Sequence, residues 1–310
     1  MTDDLLGPSS LTWKYFGDWR GILQALWAGS MQNMHPKLGA AVEQHSDFFS
    51  ERWERLYRSL YPIGGVVFDG EHAERTAREV RDYHREIKGV DDRGRRYHAL
   101  DPDVFYWAHA TFFYGTVLTA EHFCGGITEE EKRWLFAEHR AWYARYGVSM
   151  RPVPETWEDF QAYWDDMCRR VLEDNKATRD VLDIARLDRP PSACWLPMPL
   201  WRLVRGPVGR GFLWLTVGLY DEAVRERLGY AWSRRDARLH RLVGRAVGGV
   251  FRLVPPRLRK HPRARDGLDR VRGRVPASAP LLHTPVRNLP PPSERGKAMH
   301  YCPVHAERRA

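Results

Sequence analysis

One stretch limits what this chain can fold into more than any other. From Asp101-Pro102 the sequence runs through Phe105, Trp107, His109, Phe112 and Phe113 to Phe123 with apolar side chains on almost every face. An acidic N-cap followed by proline in the first turn predicts a helix start. A helix that is apolar nearly all round must be enclosed by other elements. The segments available to enclose it read as helices too. Leu23 to Leu38 is apolar and rich in small residues, and Asp47 to Leu60 and Gly70 to Gly89 follow, parted by Pro62 and the turn Phe68-Asp69-Gly70. Thr128 with Glu131 three residues on makes a capping-box start. Glu155 to Leu172, Lys176 to Leu187 and Ala231 to Leu253 complete the helical set. Alternating patterns are scarce: Val66-Val67-Phe68 is the best strand candidate, and Phe212 to Leu219 fits a buried helix or a strand. The expected fold class is therefore all-α. It comprises a single large helical domain over residues 15–253 and a basic Pro/Arg-rich tail over 254–310, largely disordered after about 278.

Composition narrows the function classes. Hydrophobic residues make up 43 % of the 310, enough for a sizeable core. No run of 18 or more apolar residues predicts a membrane-spanning helix, and Met1-Thr2-Asp3-Asp4 lacks the pattern of a signal peptide, so a cytoplasmic protein is expected. Cys124, Cys168, Cys194 and Cys302 form no CxxC pair, which argues against a disulfide scaffold or a Cys-rich zinc site. From Arg252 onward there are 14 Lys/Arg against 4 Asp/Glu, which leaves 35 basic and 36 acidic residues of the totals 49 and 40. The net charge of +9 is thus a property of the tail, and nucleic-acid binding by the folded body is not expected. No GxGxxG, Walker A or GxSxG pattern opens a strand-to-helix unit.

Several polar residues stand on apolar helical faces. Ala73, Ala77, Val80, His84 and Ile87 recur at steps of three and four, placing one imidazole among small neighbours, as a flat macrocycle with an iron would need. A core histidine bonded to a carbonyl satisfies the same spacing more readily. Arg55 and Ser59 are four apart on one face, close to Phe48 and Arg52. Such a pair suits a developing oxyanion or a bound peroxide, or is a solvated surface pair. His109 lies in the buried helix and needs a partner there: a metal, a substrate proton or a core acceptor. His35 and His45, ten apart, do not share a helical face. His300, Cys302 and His305 are close enough for a transition metal but lack a fourth ligand.

These residues occur in an order that resembles the family of rubber oxygenases (latex-clearing proteins) and MpaB-type oxygenases, in particular its short bacterial members. The matching segments are Gly17-Asp18-Trp19-Arg20, His35-Pro36 through His45-Ser46-Asp47-Phe48, Arg55-Leu56-Tyr57-Arg58-Ser59, Val80-Arg81-Asp82-Tyr83-His84 with Lys88-Gly89, and Trp107-Ala108-His109-Ala110-Thr111. Later ones are Trp157 to Trp164 and Gly218-Leu219-Tyr220 through Val224-Arg225-Glu226. Together they span about residues 15 to 235. The resemblance implies an all-α haem-b protein, with dioxygen bound at the haem iron and a hydrophobic, isoprenoid- or lipid-like small molecule as substrate. It implies His84 as the iron ligand, Arg55 and Ser59 as the catalytic pair beside the haem, and Arg58, Val80 and His109 in the cofactor's surroundings. Two departures stand out. Ser59 keeps the hydroxyl but not the methyl of the family's threonine. Arg58 occupies the position of a lysine that ligates iron in some rubber oxygenases, and a guanidinium has no readily donated lone pair. Two other readings compete with the oxygenase: a haem-binding sensor without turnover, and a protein that binds a partner or nucleic acid through its basic tail.

Overall fold

A computed structural model describes residues 4–46, 51–183, 189–190, 196–276 and 278–294 of the chain. Phe48, Cys194, the end of the helix expected to reach Leu187, and the His300, Cys302, His305 group lie outside the described residues.

The order of elements is α1 (Leu11–Tyr15), α2 (Ala25–Met34), α3 (Pro36–His45), α4 (Arg52–Phe68) and α5 (Ala73–Asp82), then a hairpin of β1 (Lys88–Val90) and β2 (Arg96–His98). There follow α6 (Pro102–Phe123), α7 (Glu129–Ala144), α8 (Trp157–Asp166), α9 (Lys176–Leu182), α10 (Met198–Leu219), α11 (Glu222–Leu228), α12 (Arg234–Leu253) and α13 (Pro262–Val271). The architecture is all-α, with one two-stranded antiparallel sheet among the described residues.

The apolar helix sits where its sequence requires. Asp101 accepts from the Asp103 N–H, Pro102 opens α6, and fifteen of the 22 residues are buried, so α6 is the central helix. Its polar residues are satisfied locally: Thr111, Thr116 and Thr119 donate back to the carbonyls of Ala108, Phe112 and Gly115 at 2.7–2.8 Å. The Trp107 indole donates to the Met31 carbonyl at 3.0 Å, and its ring stacks on Trp164. Phe113 meets Phe160 edge to face at 4.9 Å. Each such aromatic, fully withdrawn from water, contributes on the order of 2–3 kcal/mol. Helices α2, α7 and α12 pack around α6. The expected capping box at Thr128 and Glu131 is present, with both reciprocal bonds.

Three local expectations are corrected. Val66-Val67-Phe68 is the last turn of α4, not a strand. Pro62 does not separate two helices, because α4 runs through it; the cost is one lost bond to the carbonyl of Arg58, four residues back. The helix expected over Gly70 to Gly89 ends at Asp82, and His84 stands on the turn that follows, because the chain must reverse there into β1. Phe212 to Leu219 resolves as the end of α10.

After residue 253 the chain returns to the body. Trp19 N–H donates to the Arg259 carbonyl at 2.8 Å, and His261 N–H to the Gly17 carbonyl at 2.8 Å. Arg263 in α13 makes a buried ion pair with Asp69, which also accepts from the Thr76 hydroxyl at 2.7 Å. Gly267 is needed at this contact, since a Cβ there would lie 2.5 Å from the Phe68 carbonyl oxygen.

Candidate functional site

Seven pieces of chain line one cavity: the end of α2 through Gln32, α3, α4, the end of α5 with its turn, the β-hairpin, α6, and Tyr146 just after α7. Arg55, Arg58 and Ser59, at i, i+3 and i+4 of α4, present one face to it, with Pro62 and Ile63 one turn on. Val80, Tyr83, His84 and Ile87 come from α5 and the turn. Phe105, Ala108, His109 and Phe112 form one stripe of α6. All six residues singled out for the site therefore line a single cavity, although up to 54 residues separate them in sequence. His35 and His45 do not line it. They cap and end α3, whose Lys37, Leu38, Ala41 and Val42 do. Ala73 and Ala77, on α5, are buried but do not line the cavity.

His84 has a defined tautomer. Its Nδ1 lies 2.7 Å from the Val80 carbonyl oxygen, which can only accept, so Nδ1 carries the proton and Nε2 the lone pair. Burial lowers the ring's pKa, offset in part by that carbonyl bond, so the imidazole is neutral. Its ring meets Phe105 edge to face at 5.7 Å. A neutral imidazole whose other nitrogen donates to a carbonyl is the arrangement found in metal-ligating histidines.

His109 is 2 % exposed, and neither ring nitrogen has a hydrogen-bond partner among the described residues. Its ring stacks on His139 at 4.6 Å and 13° and stands edge to face with Trp142 at 4.7 Å. Burial pushes its pKa down to about 3, offset in part by the His139 backbone nearby. His139 lies well below the ordinary range as well, first through burial and then through His109, and its Nε2 is 3.2 Å from the Tyr106 hydroxyl. Both imidazoles are neutral, and His109 brings one donor and one acceptor to an otherwise apolar wall.

On α4, Arg55 donates to the Ser46 hydroxyl at 2.5 Å. Arg58 is 1 % exposed and donates through Nη2 to Glu51 at 2.5 Å. At the cavity edge Lys37 pairs with Asp101 at 2.8 Å. Sequence reasoning passed over Lys37, Tyr146 and the supporting His139. The signal for His139 was present: Phe136, His139 and Tyr143 recur at helical spacing on α7 and are all buried.

The family model described as the catalytic domain of the ER-bound oxygenase mpaB/B′ and the rubber oxygenase matches residues 13–249. The chain belongs to this oxygenase family. No curated protein and no solved structure matches it. The mpaB/rubber oxygenase match takes in every cavity-lining element described above and stops short of α13, which packs on α4 from outside the matched region. In this family member no described helix is long and apolar enough to cross a membrane. No group of three or more His, Cys, Asp or Glu able to hold a bare metal ion occurs among the described residues.

Proposed function

We propose that the protein is a haem-b-dependent oxygenase that uses dioxygen on a hydrophobic, isoprenoid- or lipid-like small molecule. The family match supports an oxygenase acting on a small molecule. The observation that carries the finer reading is His84: a neutral imidazole, tautomer fixed by the Val80 carbonyl, in the wall of a cavity that also contains Arg55 and Ser59. The donor set fits a haem, whose iron takes four nitrogens from the macrocycle and would need one imidazole nitrogen from the protein. His84 Nε2 would hold that iron, and Val80 would hold His84. When bound, haem supplies the redox chemistry on dioxygen. The protein's own part is positional and electrostatic. Arg55 and Ser59 offer a cationic donor and a hydroxyl to developing negative charge on oxygen. Phe105, Phe112, Val42 and Ile63 hold an apolar substrate and keep water from it. Arg58 stands where some relatives carry an iron-ligating lysine, and its guanidinium would not supply a nitrogen to an iron.

An absorbance scan of the purified protein tests this directly. A Soret band, with dioxygen consumed when an isoprenoid is added, is the expected result. Protein that takes up no haem would remove the reading. Haem uptake without dioxygen consumption across isoprenoid and lipid substrates would favour the sensor.

A further inference from the structure

Arg58 carries more hydrogen-bonding capacity than the fold uses. Its side chain is 1 % exposed, and one nitrogen, Nη2, is taken by Glu51. Nε and Nη1 have no partner among the described residues. A guanidinium has donors only, so nothing but an acceptor can satisfy them. Leaving buried donors unpaired is costly, and such groups in folded proteins are found paired with protein, water or ligand.

The surroundings of Arg58 select the kind of acceptor. Its cavity is lined by three cationic side chains, Lys37, Arg55 and Arg58, and by no carboxylate from the described residues. The acids that balance Lys37 and Arg58, Asp101 and Glu51, stand outside the lining. The remaining wall is largely apolar. A cavity with cationic donors on α3 and α4 and with Phe105 and Phe112 on α6 is complementary to a molecule with an anionic head and a hydrocarbon body. A planar guanidinium suits a carboxylate in particular.

We infer that Arg58 is a carboxylate-binding residue, and that the ligand taken by this cavity is an apolar carboxylic acid bound with its head on Arg58 and its chain along α6. The inference deepens the oxygenase reading by naming the head group of its substrate, and it holds for ligand binding even if no turnover occurs. The same chemistry has a second source, the propionate groups of a porphyrin.

The test measures binding by calorimetry on the full chain as purified, with dodecanoate, dodecanol and methyl dodecanoate as probes, and in a second arm follows haem uptake by the Soret band. The wild type is expected to bind dodecanoate roughly ten- to a hundredfold more tightly than dodecanol, as a charge-assisted hydrogen bond would give. Arg58→Met is expected to bind acid and alcohol alike while keeping its affinity for dodecanol. If the wild type shows no acid preference but Arg58→Met takes up haem at least tenfold more weakly, the carboxylate on Arg58 is the porphyrin's. Equal binding of acid and alcohol by the wild type with haem uptake unchanged in Arg58→Met, or an acid preference that survives in Arg58→Met, overturns the inference. Glu51→Gln covers the case in which Arg58→Met does not fold. It keeps the guanidinium and removes its internal anion, so dodecanoate should bind several-fold more tightly with dodecanol unchanged, and an unaltered ratio there also overturns the inference. An acid preference in protein that shows no Soret band would remove the haem reading and leave this one standing.

Discussion

At the residue scale two of the three histidines that line the cavity, His84 and His109, are separated by what each ring already bonds. His84 has its Nδ1 proton committed to Val80, which aims one lone pair and fixes the ring. His109 packs on His139 and Trp142, and no hydrogen bond of good geometry fixes which of its nitrogens faces the cavity. His84→Ala is therefore expected to abolish or strongly reduce haem binding, and His109→Ala to keep the proximal bond. Reconstitution with haem, reading Soret position and occupancy for both variants, checks this. Loss in His109→Ala with a normal spectrum in His84→Ala would exchange the two roles.

At the element scale the docking of α12 on α6 turns on one missing side chain. Gly244 is buried, and a Cβ there would stand 2.3 Å from the His122 carbonyl oxygen, a backbone atom that cannot move aside without the helix. Gly249, on the same helix, is exposed and meets nothing within 4 Å. Both are interior to α12, where alanine is intrinsically preferred by about 1 kcal/mol. At Gly244 the clash outweighs that gain, so Gly244→Ala should destabilise by about 1–3 kcal/mol. At Gly249 the propensity acts alone, and Gly249→Ala should stabilise by roughly 0.5–1 kcal/mol. Urea unfolding of the two variants gives opposite signs if the packing is as described; a loss of stability in both would contradict it.

The docking of α13 makes a parallel case. Asp69 and Arg263 are 2 % and 3 % exposed at their side chains, and removing one member of a buried pair typically costs about 3–5 kcal/mol. Ending the chain after residue 253 takes away Arg263 and leaves the Asp69 carboxylate with Thr76. Thermal unfolding should show that truncation to be clearly destabilised, and adding Asp69→Asn to it should recover part of the loss. No recovery would mean that the ion pair is not what anchors α13.

At the scale of the whole molecule, stability should depend on pH through histidines buried in the neutral form. Burial, the largest cause for each, lowers His35 to about 4, His109 to about 3 and His261 to about 4 from the ordinary 6.5. The unfolded chain takes up these protons below about 6.5, and the folded chain does not until pH 3–4. Their contribution is thus complete above about 6.5 and is lost as pH falls from there toward 4. Between pH 7.5 and 5 each such group costs about 2 kcal/mol, most of it before carboxylates begin to titrate. The urea midpoint should fall over that interval, and by less in His109→Leu than in the wild type. A flat midpoint from 7.5 to 5 would show that these rings are protonated in the folded protein.

Much of this was legible in the sequence because it is written at short range. The buried character of α6, its Asp101-Pro102 start and the Thr128 capping box depend on neighbours within one or two turns, and the structure keeps all three. The shared face of Arg55 and Ser59 follows from helical spacing alone. What tertiary structure decided lies at longer range. Val66 to Phe68 is helical because α4 continues through Pro62 and packs on α5 and α13, and an apolar triplet carries no period of its own. The turn that sets His84 at the cavity arises because Lys88–Val90 pairs with Arg96–His98, a contact that the helical spacing of Ala77, Val80 and His84 does not encode. The satisfaction of buried polar atoms is longer-ranged still: Asp69 finds Arg263 across 194 residues, while His109 and two nitrogens of Arg58 find no partner among the described residues. A sequence states which donors and acceptors a chain carries. Which of them are left facing a cavity depends on every element that closes around them, and only the folded chain settles that.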